Sequence, residues 1–88
     1  AREARRRGYA QEAISIVLRY YFHELRYQKV TATVYSFNEP SRRLHEGLGF
    51  TLEGRLRRTV FTNGQHHDEL FFGMTREEFD TRRPPLNL

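Results

Sequence analysis

The sequence predicts an α+β fold in which a helix, a strand, a helix and two further strands follow one another. Three observations predict it. Apolar residues recur at three- and four-residue spacing from Ala10 to about Tyr27, which is one face of an amphipathic helix. Residues 29–37, KVTATVYSF, alternate instead with a period of two, as a strand does. Two further extended stretches flank Asn63-Gly64, the dipeptide best suited to a two-residue turn with both φ angles positive.

The first helix carries Ala10, Ala13, Ile14, Val17, Leu18, Tyr21, Phe22 and Leu25 along one stripe, which is expected to face the core. In the strand that follows, Val30, Ala32 and Val34 alternate against Thr31, Thr33 and Tyr35, so one face should be buried. Residues 38–50, NEPSRRLHEGLGF, open on Asn38 as a helix cap and place Pro40 in the first turn. They close at Gly47 or Gly49, where a left-handed residue can end the helix. Thr51 to Thr62 and Gln65 to Met74 are the two arms of a hairpin. TREEF, residues 75–79, reads as a short capped helical turn. RRPPLNL, residues 82–88, reads as an irregular tail, since Pro84 and Pro85 cannot continue a helix. No internal repeat and no linker interrupts the pattern.

Eighty-eight residues allow one small domain. A chain of this size buries only about 60% of the surface its unfolded form exposes, so the core is thin and a partner surface would help. The absence of cysteine excludes disulfides, thiolate metal sites and thiol nucleophiles. No apolar run approaches the roughly 20 residues of a membrane span, and no signal-peptide pattern is present, so the expected location is the cytoplasm. The net charge is +4, and Lys29 is the only lysine among the 15 basic residues. Such a ratio reflects genome base composition more readily than function, which leaves placement as the informative feature.

Placement matters at residues 5–13, RRRGYAQEA, where three arginines and a glycine stand directly before the helix predicted from Ala10. A helix N-terminus has unpaired backbone N–H groups and a partial positive charge, and so attracts phosphate. Gly8 removes the side chain that would keep a phosphate from the backbone and tolerates the φ values of a tight loop. Arginines add charge-assisted hydrogen bonds. The physics therefore favours a diphosphate or similar anion at Arg6 to Gln11.

Arg5-Arg6-Arg7-Gly8-Tyr9-Ala10 resembles the Arg/Gln-x-x-Gly-x-Gly/Ala pyrophosphate loop of the GNAT superfamily of N-acetyltransferases. The pieces that follow keep the family's spacing. They are a helix with Glu12 and Ala13 near its start, a strand ending in Phe37-Asn38, then NEPSRRLHEGLGF, EGRLRR at 53–58 and HDELFFGMTREEF at 67–79. Together, from Arg5 to Phe79, they resemble the C-terminal half of the RimJ/RimL-like branch, whose members acetylate protein N-termini, small amines or antibiotics. The resemblance implies a partial GNAT (acyl-CoA N-acyltransferase) fold with a three-stranded antiparallel sheet. The strand from Lys29 should lie beside the one from Gln65, with Thr51 to Thr62 on the outside.

The resemblance also implies acetyl-CoA as co-substrate, an amine acceptor and no metal. It assigns cofactor binding to Arg5, Arg6, Arg7, Gly8, Tyr9 and Ala10, with the backbone amides from Arg6 to Ala10 on the pyrophosphate. Asn38 corresponds to the asparagine that contacts the pantetheine region, a role compatible with capping. Ser41 and Arg42 or Arg43 fall where contacts to pantetheine or the 3′-phosphate occur, although a solvent-facing helix surface suits the two arginines equally. His45 stands seven residues after Asn38, where many members carry a tyrosine that protonates the leaving thiolate. An imidazole could act there as a general acid, or His45 could be a partly buried packing residue, since many RimJ/RimL-like sequences have an aliphatic residue at this place. The implied reaction is direct attack of a neutral amine on the thioester carbonyl, oriented by the binding of a long cofactor.

His66 and His67 precede Asp68, but adjacent strand residues point to opposite faces and cannot both easily reach one ion. The resemblance makes Asp68 a recurrent feature of the last strand instead. Phe61, Phe71, Phe72 and Phe79 are expected mostly in the core rather than as a stacking platform. In the family, further strands and helices precede the pyrophosphate loop and supply the acceptor pocket. Residues 1–88 are therefore expected to be a single domain, the C-terminal portion of an N-acetyltransferase domain without its N-terminal strands and acceptor half. The strand at 29–37 would then be an exposed sheet edge, covered by that missing half, by a second copy in a homodimer or by a separate polypeptide. Two other classes compete: a non-catalytic coenzyme A-binding module, and an arginine-rich nucleic-acid binder that turns the basic loop and Arg55, Arg57 and Arg58 toward phosphates.

Overall fold

Arginine, alanine and glutamate make up residues 1–7, and all three are strong helix formers. In the computed structural model, which describes residues 2–82, α1 accordingly runs Arg2–Arg19. It begins about two turns before the Ala10 start that the apolar stripe predicts. Gly8 lies inside it rather than in a loop, at a cost of about 1 kcal/mol against alanine that its neighbours outweigh. At its far end α1 passes into a π-helical turn, Tyr20–Glu24. That turn closes through Leu25 N–H to Tyr20 O and Tyr27 N–H to Tyr21 O, both 3.0 Å, and Arg26 follows with φ +60°. Leu18 and Phe22 are buried and Ile14 packs against them. Val17 and Leu25 are exposed, because one sheet and one short helix cover only part of so wide a stripe.

The strands are β1 Lys29–Tyr35, β2 Thr51–Thr62 and β3 Gln65–Thr75, antiparallel in the order β1-β3-β2. This is the expected sheet. β1 stops two residues short of Phe37, where Asn38 N–H turns back to Tyr35 O at 2.9 Å. The register pairs Val30 with Met74, Ala32 with Phe72 and Val34 with Leu70, which puts six apolar residues on one face. α1, α2 (Glu39–Leu48) and α3 (Arg76–Arg82) pack on that face. The core they enclose contains Leu18, Phe22, Val34, Leu48, Phe50, Leu70, Phe72, Met74 and Phe79. On the other face Thr31, Thr33 and Tyr35 are exposed, and Lys29 bridges to Glu53 at 2.8 Å across the side-chain position that Gly73 leaves empty.

The local chemistry of the ends explains the boundaries. Asn38 Oδ1 accepts from Ser41 N–H at 3.2 Å, Pro40 lies in the first turn, and Gly49, with φ +102°, closes α2. Gly47 stays helical, where a side chain would meet that of Gln11. Asn63 and Gly64, with φ +52° and +75°, make the hairpin turn. Thr75 and Glu78 form a reciprocal capping box, with Thr75 Oγ1 accepting at 3.1 Å and Glu78 Oε1 at 2.8 Å. Of the expected tail at 82–88, Arg82 belongs to α3 instead, and residues 83–88, with Pro84 and Pro85, lie outside the described residues.

β2 shifts register twice, between Leu52 and Gly54 and between Leu56 and Val60. The second irregularity contains Arg58 at φ +57°. Asp68 holds it: Oδ1 accepts from Arg58 N–H at 2.8 Å and Oδ2 from Arg55 Nε at 2.5 Å. On its other side the Asp68 backbone exchanges hydrogen bonds with Ser36, N–H to Oγ at 3.0 Å and O from N–H at 2.9 Å. Of the four phenylalanines expected mostly in the core, Phe72 and Phe79 are buried and Phe71 is half-buried. Phe61 is the exception at 65% exposure, because the hairpin carries it past the helices. Among the described residues, no helix is long and apolar enough to cross a membrane.

Candidate functional site

The chain turns from β1 into α2 at Asn38, and the predicted site residues Ser41, Arg42, Arg43 and His45 follow it along α2. Asn38 commits Oδ1 to the cap and leaves its Nδ2 donors free among the described residues. Arg42 is half-buried, with Nη2 on both oxygens of Glu39 at 2.8 and 2.7 Å. Its Nε is buried without a hydrogen-bond partner among the described residues. Arg43 is exposed, with Nε on Glu39 Oε1 at 3.0 Å. The Arg42 hydrogen bonds, and then Arg43, hold the Glu39 carboxyl below its ordinary value against some desolvation. A buried guanidinium N–H with no acceptor is costly unless a ligand supplies one.

His45 donates from Nδ1 to Ser41 O at 2.8 Å. Its ring stacks on Phe72 at 5.8 Å and meets Phe50 edge-on at 5.2 Å. That is the packing arrangement. It also fixes the tautomer, since a neutral ring with its proton on Nδ1 presents a lone pair at Nε2. His45 can therefore serve as an acid from Nε2 only as the imidazolium.

The predicted cradle is arranged differently from the sequence expectation. The side chains of Arg5, Arg6 and Arg7 lie outside the described residues. Their backbone is part of α1, so the amides from Arg6 to Ala10 point back to carbonyls four residues earlier. Gly8 and Tyr9 are exposed and Ala10 is half-buried. A Cβ at Gly8 would meet nothing within 4 Å. Gln11, just beyond, lies against Gly47 near the end of α2, the end of that helix remote from Asn38. At the start of α2 the donor left open among the described residues is Asn38 Nδ2, whereas the Arg6–Ala10 amides are spent inside α1.

The remaining candidates are engaged elsewhere. Arg55 is tied to Asp68, and Arg58 Nη2 lies 2.9 Å from His66 Nδ1. His66 packs on Phe61 and His67 on Phe37. Among the described residues, no group of three or more His, Asp or Glu side chains is placed to hold a metal ion. Sequence reasoning missed the pairing of His23 Nε2 with Asp80 Oδ1 at 2.8 Å, since residues 57 apart carry no local signal of contact.

The three-stranded sheet with its flanking helices is a partial GNAT fold. Residues 1–51 match the model of the GNAT acetyltransferase domain, and the chain belongs to that family. It is 60% identical over 76 residues to the SPbeta prophage-derived uncharacterized N-acetyltransferase YokL of Bacillus subtilis, covering 86% of this chain and 43% of the relative. It is 31% identical over 80 residues to the putative ribosomal N-acetyltransferase YdaF of the same organism, covering 91% of this chain and 44% of the relative. Among solved structures, the spermidine/spermine N-acetyltransferase SpeG of Vibrio cholerae superposes with a TM-score of 0.77 at 29% identity, covering 86% of this chain and 46% of that one. The chain thus spans less than half the length of these relatives.

Proposed function

We propose that residues 1–88 are the C-terminal, cofactor-binding portion of an N-acetyltransferase domain that transfers the acetyl group of acetyl-CoA to a primary amine. The observation that carries this reading is Asn38 at the turn from β1 into α2, its Oδ1 spent on the helix cap and its Nδ2 without a partner among the described residues, on a chain of the GNAT family. Asn38, Ser41 and Arg42 hold the pantetheine side of acetyl-CoA, and Arg5, Arg6, Arg7, Gly8, Tyr9 and Ala10 its diphosphate. Acetyl-CoA supplies the activated thioester, and the chain's own contribution is to bind and orient it. His45 serves as the acid in its imidazolium form. Identity to the putative ribosomal N-acetyltransferase supports a RimJ/RimL-like enzyme acting on a protein N-terminus, and likeness to the spermidine enzyme supports a small amine. The proposed location is the cytoplasm, and the proposed cover for the β1 edge is the other half of the domain or a second copy of the chain.

Calorimetric titration tests this reading. Saturable binding of acetyl-CoA is expected, weakened roughly tenfold or more in Arg42→Gln, as loss of a charged hydrogen bond implies. Failure to bind acetyl-CoA at millimolar concentration, together with steeply salt-dependent binding of duplex DNA, overturns it. The unpaired β1 edge favours one second reading for the chain by itself: binding without turnover, visible as acetyl-CoA affinity with no acetylation of added amines.

A further inference from the structure

We propose that the face of the sheet opposite the helices, beside Asn38, binds an organic ammonium group between the Glu69 carboxylate and the rings of Tyr35 and Phe37. The ammonium is assigned to the amine acceptor, and that assignment rests on the transferase reading above. Glu69 stands in the central strand, directly opposite Tyr35 of β1 and Leu56 of β2. These three side chains point away from the core, because Val34 and Leu70, one residue along, are buried in it.

Opposed residues on one face of an antiparallel ladder have Cβ atoms about 4.5–5.5 Å apart. Glu69 therefore lies between an aromatic and an aliphatic neighbour, and it is half-buried. It has no ion pair or side-chain hydrogen bond among the described residues. Three cations of the same sheet are spent elsewhere: Arg55 on Asp68, Arg58 on His66 and Lys29 on Glu53. A partly desolvated carboxylate is best stabilised by a cation. An apolar surface laid over this face would bury the charge unpaired, which disfavours a hydrophobic protein partner.

The aromatic side of the site is an independent observation. Tyr35 and Phe37 stack at 5.7 Å with 14° between their planes, and the His67 ring meets Phe37 edge-on at 4.7 Å. Phe37 thus braces one face of Tyr35, which is still 45% exposed. The face of an aromatic ring attracts a cation, most strongly where water is partly excluded, and recognition of ammonium groups uses such rings. A carboxylate across the ladder adds the opposite charge. Asn38 N–H returns to Tyr35 O at 2.9 Å, so the patch lies one turn from the proposed pantetheine contact. An ammonium has no lone pair with which to attack a thioester. The nitrogen held here is therefore a second, charged one on the acceptor, and not the nucleophile.

The test is a nitrogen-15 correlation NMR titration of the chain, without acetyl-CoA and at constant ionic strength. The probes are tetramethylammonium, butylammonium and, as a neutral control, tert-butanol. Saturable shifts at Tyr35, Phe37, Leu56 and Glu69 are expected with both cations, and tert-butanol should bind at least roughly tenfold more weakly. Glu69→Gln, which keeps the shape and removes the charge, should weaken cation binding roughly tenfold. Tyr35→Leu should weaken it roughly threefold, while Glu24→Gln leaves it unchanged. Circular dichroism checks that the variants fold; if one does not, the other decides together with the wild-type shift map. Absent shifts, an equal response to tert-butanol, or wild-type cation affinity in a folded Glu69→Gln or Tyr35→Leu chain overturns the proposal. Cation binding by a chain that fails to bind acetyl-CoA would uphold the site and strike only the transferase reading, and the converse result would strike only the site.

Discussion

Gly8 carries two opposed demands. As an interior residue of α1 it costs about 1 kcal/mol against alanine, and the space beside it is open, so Gly8→Ala should stabilise the helix. The proposed diphosphate contact needs the amides around Gly8 released from that helix, and alanine makes the release harder. Gly8→Ala is therefore expected to raise far-UV helicity and the melting temperature while weakening acetyl-CoA binding. Gly8→Val should weaken binding far more than Arg6→Ala, and the reverse ranking by calorimetry would return residues 5–8 to the status of a basic surface. Phenylalanine positions give a stability contrast. Phe72 is 1% exposed, and Phe72→Ala should cost about 3–5 kcal/mol, enough to unfold much of so small a domain. Phe61→Ala, at an exposed position, should stay within about 0.5 kcal/mol of wild type, both read from urea unfolding curves.

At the scale of elements, three carboxylates with lowered pKa each stand at a structural junction: Glu39 starts α2, Asp68 anchors the β2 irregularity and Glu78 completes the α3 capping box. For Asp68 the Arg58 N–H is the largest cause and Arg55 the next; for Glu78 the leading cause is the Thr75 N–H. A carboxylate with a depressed folded pKa contributes stability that is complete above its unfolded pKa, about 4, and is lost as pH falls through the folded value. Thermal melts should thus be nearly flat in these contributions from pH 7 to 5 and decline below about pH 4. Asp68→Asn combined with Glu78→Gln should remove part of that decline, and an unchanged acid limb in the double variant would refute the assignment. The features legible in the sequence share this local character. Asn38, Thr75, Asn63-Gly64 and Gly49 set boundaries by their own backbone chemistry, and the period-two strand named the buried face of β1. The start of α1 is not legible, because Gly8 suggests a loop while residues 2–7 favour helix by summed propensity. The His23–Asp80 pair and the role of Asp68 at the β2 irregularity depend on residues well apart in the chain, and nothing in their neighbours' identities announces them; the π turn is local, but YYFHE carries no residue pattern that separates it from an α-helical turn.

The whole molecule is flat. Its principal extents are 54 × 33 × 17 Å, and its Cα radius of gyration of 14.7 Å exceeds the roughly 12 Å of a compact domain of this length. One helical layer covers one face of the sheet, the opposite face of β1 is exposed, and β1 is an edge strand. Such edges are normally blunted by charge, proline or a bulge. β1 has none of these between Val30 and Tyr35, and its single charge is Lys29 at the start, already paired with Glu53. The chain should therefore associate through β1, giving a sedimentation coefficient that rises across roughly the micromolar to millimolar range. Thr33 is exposed and pairs across the ladder with Phe71, so Thr33→Lys places a charge at mid-strand without touching the core. It should suppress association and leave the far-UV spectrum unchanged. Persistent association in Thr33→Lys would move the contact to the β2 edge, where Leu52, Leu56 and Phe61 are exposed; a parallel Leu56→Lys variant identifies that alternative, because only one of the two substitutions can abolish a contact made by a single edge.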